Sequence, residues 1–254
     1  LAIGAKFDLV MLETPRLRTA AASPAHPGLD GIPGVNDLSL SIERSKLCIA
    51  PSGKKAISSL DLTTLKILPD IPTTVEPVQV REGLDGRFYV TGLVDGVGGV
   101  FQINGATGVT EAHFTPAPPG YEVLACTIEL SPDRRTLYVG ILGSESQPVA
   151  SYDVSSATPT LLKTITVDRG VMSLAVSHDG AQFFCCPYAN PYALPFPVFA
   201  GGDLTRLLGQ FQCDSGPQQL IFSADDTLSF AAPASGPTCE VFATQTFDPV
   251  RSIT

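Results

Sequence analysis

The chain alternates short apolar runs with short polar turns, and one such unit recurs. Thr127-Ile128-Glu129-Leu130 leads into Ser131-Pro132-Asp133, and Leu137-Tyr138-Val139 follows. Leu174-Ala175-Val176, Ser177-His178-Asp179-Gly180 and Phe183-Phe184-Cys185 repeat it, as do Leu220-Ile221-Phe222, Ser223-Ala224-Asp225 and Ser229-Phe230-Ala231. The serines at 131, 177 and 223 are spaced 46 and 46 apart. Weaker copies lie at Val78-Gln79-Val80 with Asp85-Gly86, and at Leu40-Ser41-Ile42-Glu43 before Leu47-Cys48-Ile49. A second landmark follows each unit: Leu60-Asp61-Leu62-Thr63, Ile103-Asn104-Gly105 and Tyr152-Asp153-Val154-Ser155, with degenerate forms at 198–201 and 241–244. Asp, Asn, Gly and Ser suit both landmarks because they hydrogen-bond locally and accept tight turns. Alternation in Thr164-Ile165-Thr166-Val167 marks a strand. Every stretch with helical spacing is broken by Pro or Gly.

Four short strands per repeat, at this period, is the pattern of β-propeller blades. The expected fold is all-β, with five complete four-stranded blades at 35–74, 75–120, 121–168, 169–214 and 215–254, preceded by a partial blade within 1–34. Labelling the strands A to D from the axis outward, residues 1–22 supply B, C and D of the partial blade and no A. The chain is then either a fragment of a longer one or a six-bladed ring with one three-stranded blade. An open inner edge invites unwanted pairing, which favours a missing or separately supplied strand.

The run Leu130-Ser131-Pro132-Asp133, then Arg135 and Leu137-Tyr138-Val139, followed by Ser151-Tyr152-Asp153-Val154 resembles the YVTN repeat of WD40/YVTN-like propellers. That group also holds the β chain of quinohaemoprotein amine dehydrogenases and lactonase-type propellers. The resemblance covers residues 35–254 as five repeats, closest at 121–168. It implies the fold specifically and the function only loosely, since propellers serve both as scaffolds and as enzymes.

Composition narrows the partners. Net charge is −9 and the calculated pI is 4.7, which argues against nucleic acid, whose phosphates require clustered positive charge. No apolar run reaches the length of a membrane span. Gly (23) and Pro (22) supply the turns. Six cysteines show no CxxC pair; they read as small core residues or, in an oxidising compartment, as one or two disulfides.

No nucleophile elbow, zincin motif, Walker loop or dinucleotide fingerprint is present. The sequence implies no cofactor and no metal. Asp95–Gly99 reads as a hairpin loop, and Asp133, Asp179 and Asp225 as turn formers. Of the three histidines, His178 lies in a turn, His26 in a polar connector, and His113 at the end of a strand near the loop face. Binding chemistry in propellers gathers on the D–A and B–C loops at one mouth of the channel. There Arg169 follows Asp168 in a short loop, and Glu76, Glu122 and Asp214 occupy comparable loops. Tyr188, Asn190 and Tyr192 lie in the proline-stiffened stretch 187–197, where rigid aromatics make recognition surfaces at low entropic cost. The sequence thus points to a non-catalytic binding or scaffold propeller, secreted or periplasmic, that recognises a protein or small ligand on its loop face. The competing reading is a dehydrogenase-associated propeller or lactonase-like hydrolase with its site at the channel mouth.

Overall fold

A computed structural model describes residues 34–117, 123, 125–143, 146–187, 195–213, 217–233 and 238–253. These form five four-stranded antiparallel meanders, each paired strictly in sequence order. Blade 1 holds β1 (Val35–Leu40), β2 (Lys46–Pro51), β3 (Ala56–Asp61) and β4 (Ile67–Pro72). Blade 2 holds β5 (Gln79–Glu82), β6 (Arg87–Val94), β7 (Val97–Asn104) and β8 (Thr110–Phe114). β9 (Cys126–Leu130), β10 (Thr136–Ile141), β11 (Gln147–Asp153) and β12 (Thr160–Val167) form blade 3. Blade 4 comprises β13 (Val171–Val176), β14 (Gln182–Pro187), β15 (Pro195–Ala200) and β16 (Asp203–Gln212). Blade 5 comprises β17 (Pro217–Phe222), β18 (Leu228–Pro233), β19 (Cys239–Ala243) and β20 (Pro249–Ile253). The only helical turn among the described residues is a 3₁₀ turn at Leu84–Gly86. The all-β propeller expected from the repeat is the fold observed.

The A–B turn explains why the serine recurs. Ser131 Oγ donates to Asp133 Oδ1 at 2.6 Å and accepts from the Thr136 N–H at 2.9 Å, while Asp133 Oδ1 accepts from the Arg135 N–H at 3.1 Å. Ser177 with Asp179 and Ser223 with Asp225 build the same lattice. Ser41 keeps only the bond from the Lys46 N–H, at 3.0 Å, because Glu43 stands where the aspartate would be. One residue of each turn is left-handed: Arg44, Arg134, Gly180 and Asp226, at φ of 53°, 61°, 72° and 54°. Blade 2 lacks the serine and makes the turn with Asp85 and Gly86, both at positive φ. Between C and D, Asp61, Asn104 and Asp153 accept from the N–H groups two residues on, and Leu65, Gly108 and Phe247 take the left-handed position. Asp95–Gly99 is tighter than a loop. The strands β6 and β7 run up to Asp95 and Gly96, which alone form the turn, both at positive φ, as a two-residue type I′ hairpin requires.

A blade buries its faces only against its neighbours. Cys48, Ala50 and Ile57 of blade 1 pack on Val80, Phe88, Val90, Phe101 and Ile103 of blade 2. Tyr89 and Val100 then meet the Ile128, Leu137 and Val139 face of blade 3. Tyr138 and Val149 meet Leu174, Phe183 and Cys185 of blade 4, where the Tyr138 and Phe183 rings stack at 4.2 Å. Phe184, Phe211 and Phe242 join blades 4 and 5, with successive ring centroids 5.3 and 4.8 Å apart. Burying each such side chain contributes about 1.5–3 kcal/mol. Five cysteines lie buried in these cores and Cys239 is half-buried. Burial raises Cys48 to about 11 and Cys126 to about 12, which leaves them as unreactive packing groups at neutral pH.

Leu65 is an exposed leucine at φ 53° where blade 2 has Gly108. A left-handed L-residue costs about 1–2 kcal/mol, more than the extra unfolded-state entropy of glycine. Leu65→Gly is therefore expected to raise stability by about 0.5–1 kcal/mol in urea denaturation; a loss would show that the turn carries no such strain. The turn carboxylates also set an acid limit. Ser223 and Thr227 hydrogen bonds hold Asp225 down to about 2 from its ordinary 3.8, and Ser131 lowers Asp133 in the same way. A depressed folded-state pKa stabilises above the unfolded value and is lost below it. Melting temperature should accordingly fall as pH drops from 3.8 toward 2, and less steeply in the Asp133→Asn/Asp225→Asn variant.

Candidate functional site

The inner strands meet at the axis, where the free N–H edge of each strand A needs a partner. Side chains of the preceding blade supply it: Asp37 Oδ2 accepts from the Val80 N–H at 3.0 Å and Gln79 Oε1 from the Ile128 N–H at 2.8 Å. Arg81 of β5 ties three blades together. Its Nη1 donates to Asp37 of β1 at 2.5 Å and its Nε to Glu129 of β9 at 3.1 Å. Nη1 also reaches the Val80 carbonyl at 2.8 Å. The Arg81 side chain is 13% exposed, against 17% and 23% for its partners. Burial opposes its charge, but the two carboxylates outweigh burial and raise its pKa. Such a triad is a clamp with its lone pairs already engaged.

The loop face is knitted together in the same manner. Glu76, an exposed candidate from the sequence, accepts from the Gly53 N–H of the blade 1 B–C turn at 2.5 Å. Asn36 Nδ2 donates to the Pro77 carbonyl at 3.0 Å. Gly170, next to Arg169, lies against the Gly143 loop so closely that a Cβ would come within 2.2 Å of the Gly143 nitrogen. Arg169 is half-buried and forms no ion pair among the described residues. Glu122, Asp214, Tyr188, Asn190 and Tyr192 lie outside the described residues. Of the seven candidates, then, Glu76 is seen in a structural bond and Arg169 beside a glycine contact. His113 stacks on Phe101 at 4.3 Å with the ring planes 5° apart, and burial lowers its pKa, which favours the neutral ring. His178, in its turn, bonds Asp226 of blade 5 at 2.7 Å.

The opposite face carries an open cleft of about 500 Å³ between blades 1 and 2, with Lys46, Ser59 and Glu82 beside Leu68, Ile71 and Phe88. Glu82 is engaged there by the Ile42 N–H at 2.7 Å. No group of three or more His, Cys, Asp or Glu side chains among the described residues is placed to hold a metal ion.

Sequence reasoning missed the Arg81 clamp. The signal was present in the repeat column, where Ser39, Arg81, Glu129, Ala175 and Ile221 share one inner-strand position. Adjacent blades placing Arg beside Glu in that column marks an inter-blade pair.

Known proteins match this chain by fold. It superimposes on the β-propeller domain of Cps50 (Swd1) from Myceliophteria thermophila with a TM-score of 0.68, at 13% identity, over 87% of this chain and 73% of that one. For the periplasmic gluconolactonase PpgL of Pseudomonas aeruginosa the values are 0.65, 17%, 87% and 70%. For hydrazine synthase of Kuenenia stuttgartiensis they are 0.66, 15%, 89% and 67%. No protein-family model matches, and neither does any curated protein. These likenesses show that the chain has the β-propeller fold.

Removing the guanidinium leaves Asp37 and Glu129 facing each other half-desolvated. Arg81→Met is expected to cost about 3–5 kcal/mol in chemical denaturation. Arg81→Lys should recover less than half, because an ammonium lacks the fork that spans two carboxylates. A cost below about 1 kcal/mol for Arg81→Met would mean that the clamp is a solvated rim.

Proposed function

We propose that the chain is a YVTN/WD40-like propeller acting outside the cytoplasm as a non-catalytic binding or scaffold domain, with a protein or small ligand held on its loop face. The observation that carries this reading is the use of the described polar groups on that face. Glu76 holds a neighbouring turn and His113 lies flat on Phe101, so these groups fasten the platform instead of converging on a reacting centre. Hydrolysis would require several such groups aimed at one point. Under this reading the proline-stiffened stretch 187–197, with Tyr188, Asn190 and Tyr192, is the recognition segment that the sequence offers, and Arg169 the cation. An extracytoplasmic setting is supported by similarity to a propeller that is periplasmic. A separately supplied strand completing the N-terminal blade is a second partner under this reading.

The test pairs binding with chemistry on the full chain. A random-peptide library panned against it should enrich sequences whose affinity falls about tenfold in the Tyr188→Ala/Tyr192→Ala variant. Incubation with gluconolactone should leave hydrolysis at the buffer rate. Lactone turnover that disappears in Arg169→Ala would reject the scaffold reading in favour of a lactonase-like enzyme.

A further inference from the structure

The hairpin between β6 and β7 is built unlike the B–C turn of the blade before it. Leu38 and Val80 share one inner-strand position, which aligns Ile49 with Val90 on the second strands and Ser58 with Phe101 on the third. Blade 1 then turns through residues 52–55, between Pro51 and Ala56. Blade 2 keeps pairing, Leu93 with Gly98 and Val94 with Val97, before Asp95 and Gly96 reverse the chain. Two added rungs lift its tip about 7 Å above the level where blade 1 stops pairing. Hairpin tips are ordinarily polar, yet Leu93, Val94 and Val97 are 51%, 36% and 44% exposed. Neighbouring residues of a strand point to opposite faces, so this finger is apolar on both. The Gly98 N–H donates to the Val123 carbonyl at 2.5 Å and braces it. Asp95, exposed at the tip, is the only charged residue from 88 to 110.

The opposite face of the propeller offers the matching shape and charge. The open cleft between blades 1 and 2, about 500 Å³, has Leu68, Ile71 and Phe88 along its walls and Lys46 beside them. Lys46 is exposed and forms no ion pair among the described residues. The carboxylates around it are already in use. Glu82 accepts from the Ile42 N–H, and Asp85 is paired with Arg87 at 3.0 Å. Asp61, opposite Lys46 on β3, accepts from the Thr63 and Thr64 N–H groups. One end of blade 2 thus presents a carboxylate above apolar flanks, and the other an ammonium beside an apolar cleft.

We propose that copies of this chain stack head to tail, the β6–β7 finger of one copy seated in the cleft between blades 1 and 2 of the next, with Asp95 paired to Lys46. A finger that is apolar on both faces is covered by a cleft and only half covered by a flat surface. Burial of Leu93, Val94 and Val97 supplies the affinity, and the single charge pair fixes the orientation. A second copy is favoured over a membrane, because an anionic tip on a chain of net charge −9 gains nothing from a negative lipid surface. Finger and cleft lie on opposite faces, so the contact is heterologous and each copy keeps one half for a further neighbour. Stacks therefore grow openly, through a contact small enough to be transient. The inference does not rest on the loop-face ligand reading, although a stacked copy and a loop-face ligand compete for that face.

Sedimentation velocity of the full chain over a concentration series is the test. The weight-average sedimentation coefficient should rise with concentration past the value of a dimer. The finger variant Leu93→Ser/Val97→Ser and the cleft variant Lys46→Glu should each weaken association about tenfold or more, and Asp95→Lys/Lys46→Glu in one chain should restore it. All of these side chains are exposed, so melting temperatures that match the parent's exclude misfolding as the cause. Mixing the finger variant with the cleft variant should give dimers and nothing larger, since each supplies the half that the other lacks. A monomer at every concentration, a plateau at the dimer, undiminished association in either variant, or a mixture no tighter than its components would each overturn the stacking. Peptide binding that depends on Tyr188 and Tyr192 would be unaffected by any of these results and would leave the loop-face reading standing.

Discussion

Mutual burial between neighbouring blades is the constraint that the other features of this protein serve. A four-stranded meander of this size cannot cover either of its own faces, and each apolar side chain left exposed forfeits its transfer free energy. Val80, Ile128, Leu174 and Leu220 show the solution, since each is covered only because a blade precedes it. The aromatic layer of Phe184, Phe211 and Phe242 does the same between blades 4 and 5. Stability is then a sum of blades and interfaces, as in other repeat proteins.

The polar chemistry follows from that arrangement. Packing blades face to face leaves the inner edge of every strand A pointing at the channel with N–H groups to satisfy. Asp37 and Gln79 answer for Val80 and Ile128, and Arg81 holds Asp37 and Glu129 at the same level. Turn-to-turn contacts repeat the logic on the lower face, where Asp226 of blade 5 receives His178 and the Asp179 N–H of blade 4. The charges on the inner strands, Asp37, Arg81 and Glu129, are therefore engaged between blades.

Much of this was legible in the sequence, because the turn chemistry is local. Ser131, Ser177 and Ser223 with their aspartates fix the A–B turns two residues away, and the lattice observed is the one their spacing requires. Even the degenerate landmarks near Phe199 and Phe242 fall on strands β15 and β19. Non-local features were harder to read. Arg81 meets residues 44 and 48 positions away, and only alignment of the repeats column by column brings them together. Glu76 looked like a free carboxylate because its bond to Gly53 crosses from one blade to the next.

Native-state hydrogen exchange tests this account most directly, because protection reports local opening strand by strand. If neighbouring blades supply the stability, amides of β6, β10 and β14 should exchange last and together, and those of β1 and β17, whose Leu38 and Ile221 are exposed, distinctly earlier than those of β9. Equal protection of β1, β9 and β17 would contradict it, for each blade would then be holding its inner strand without help from the next.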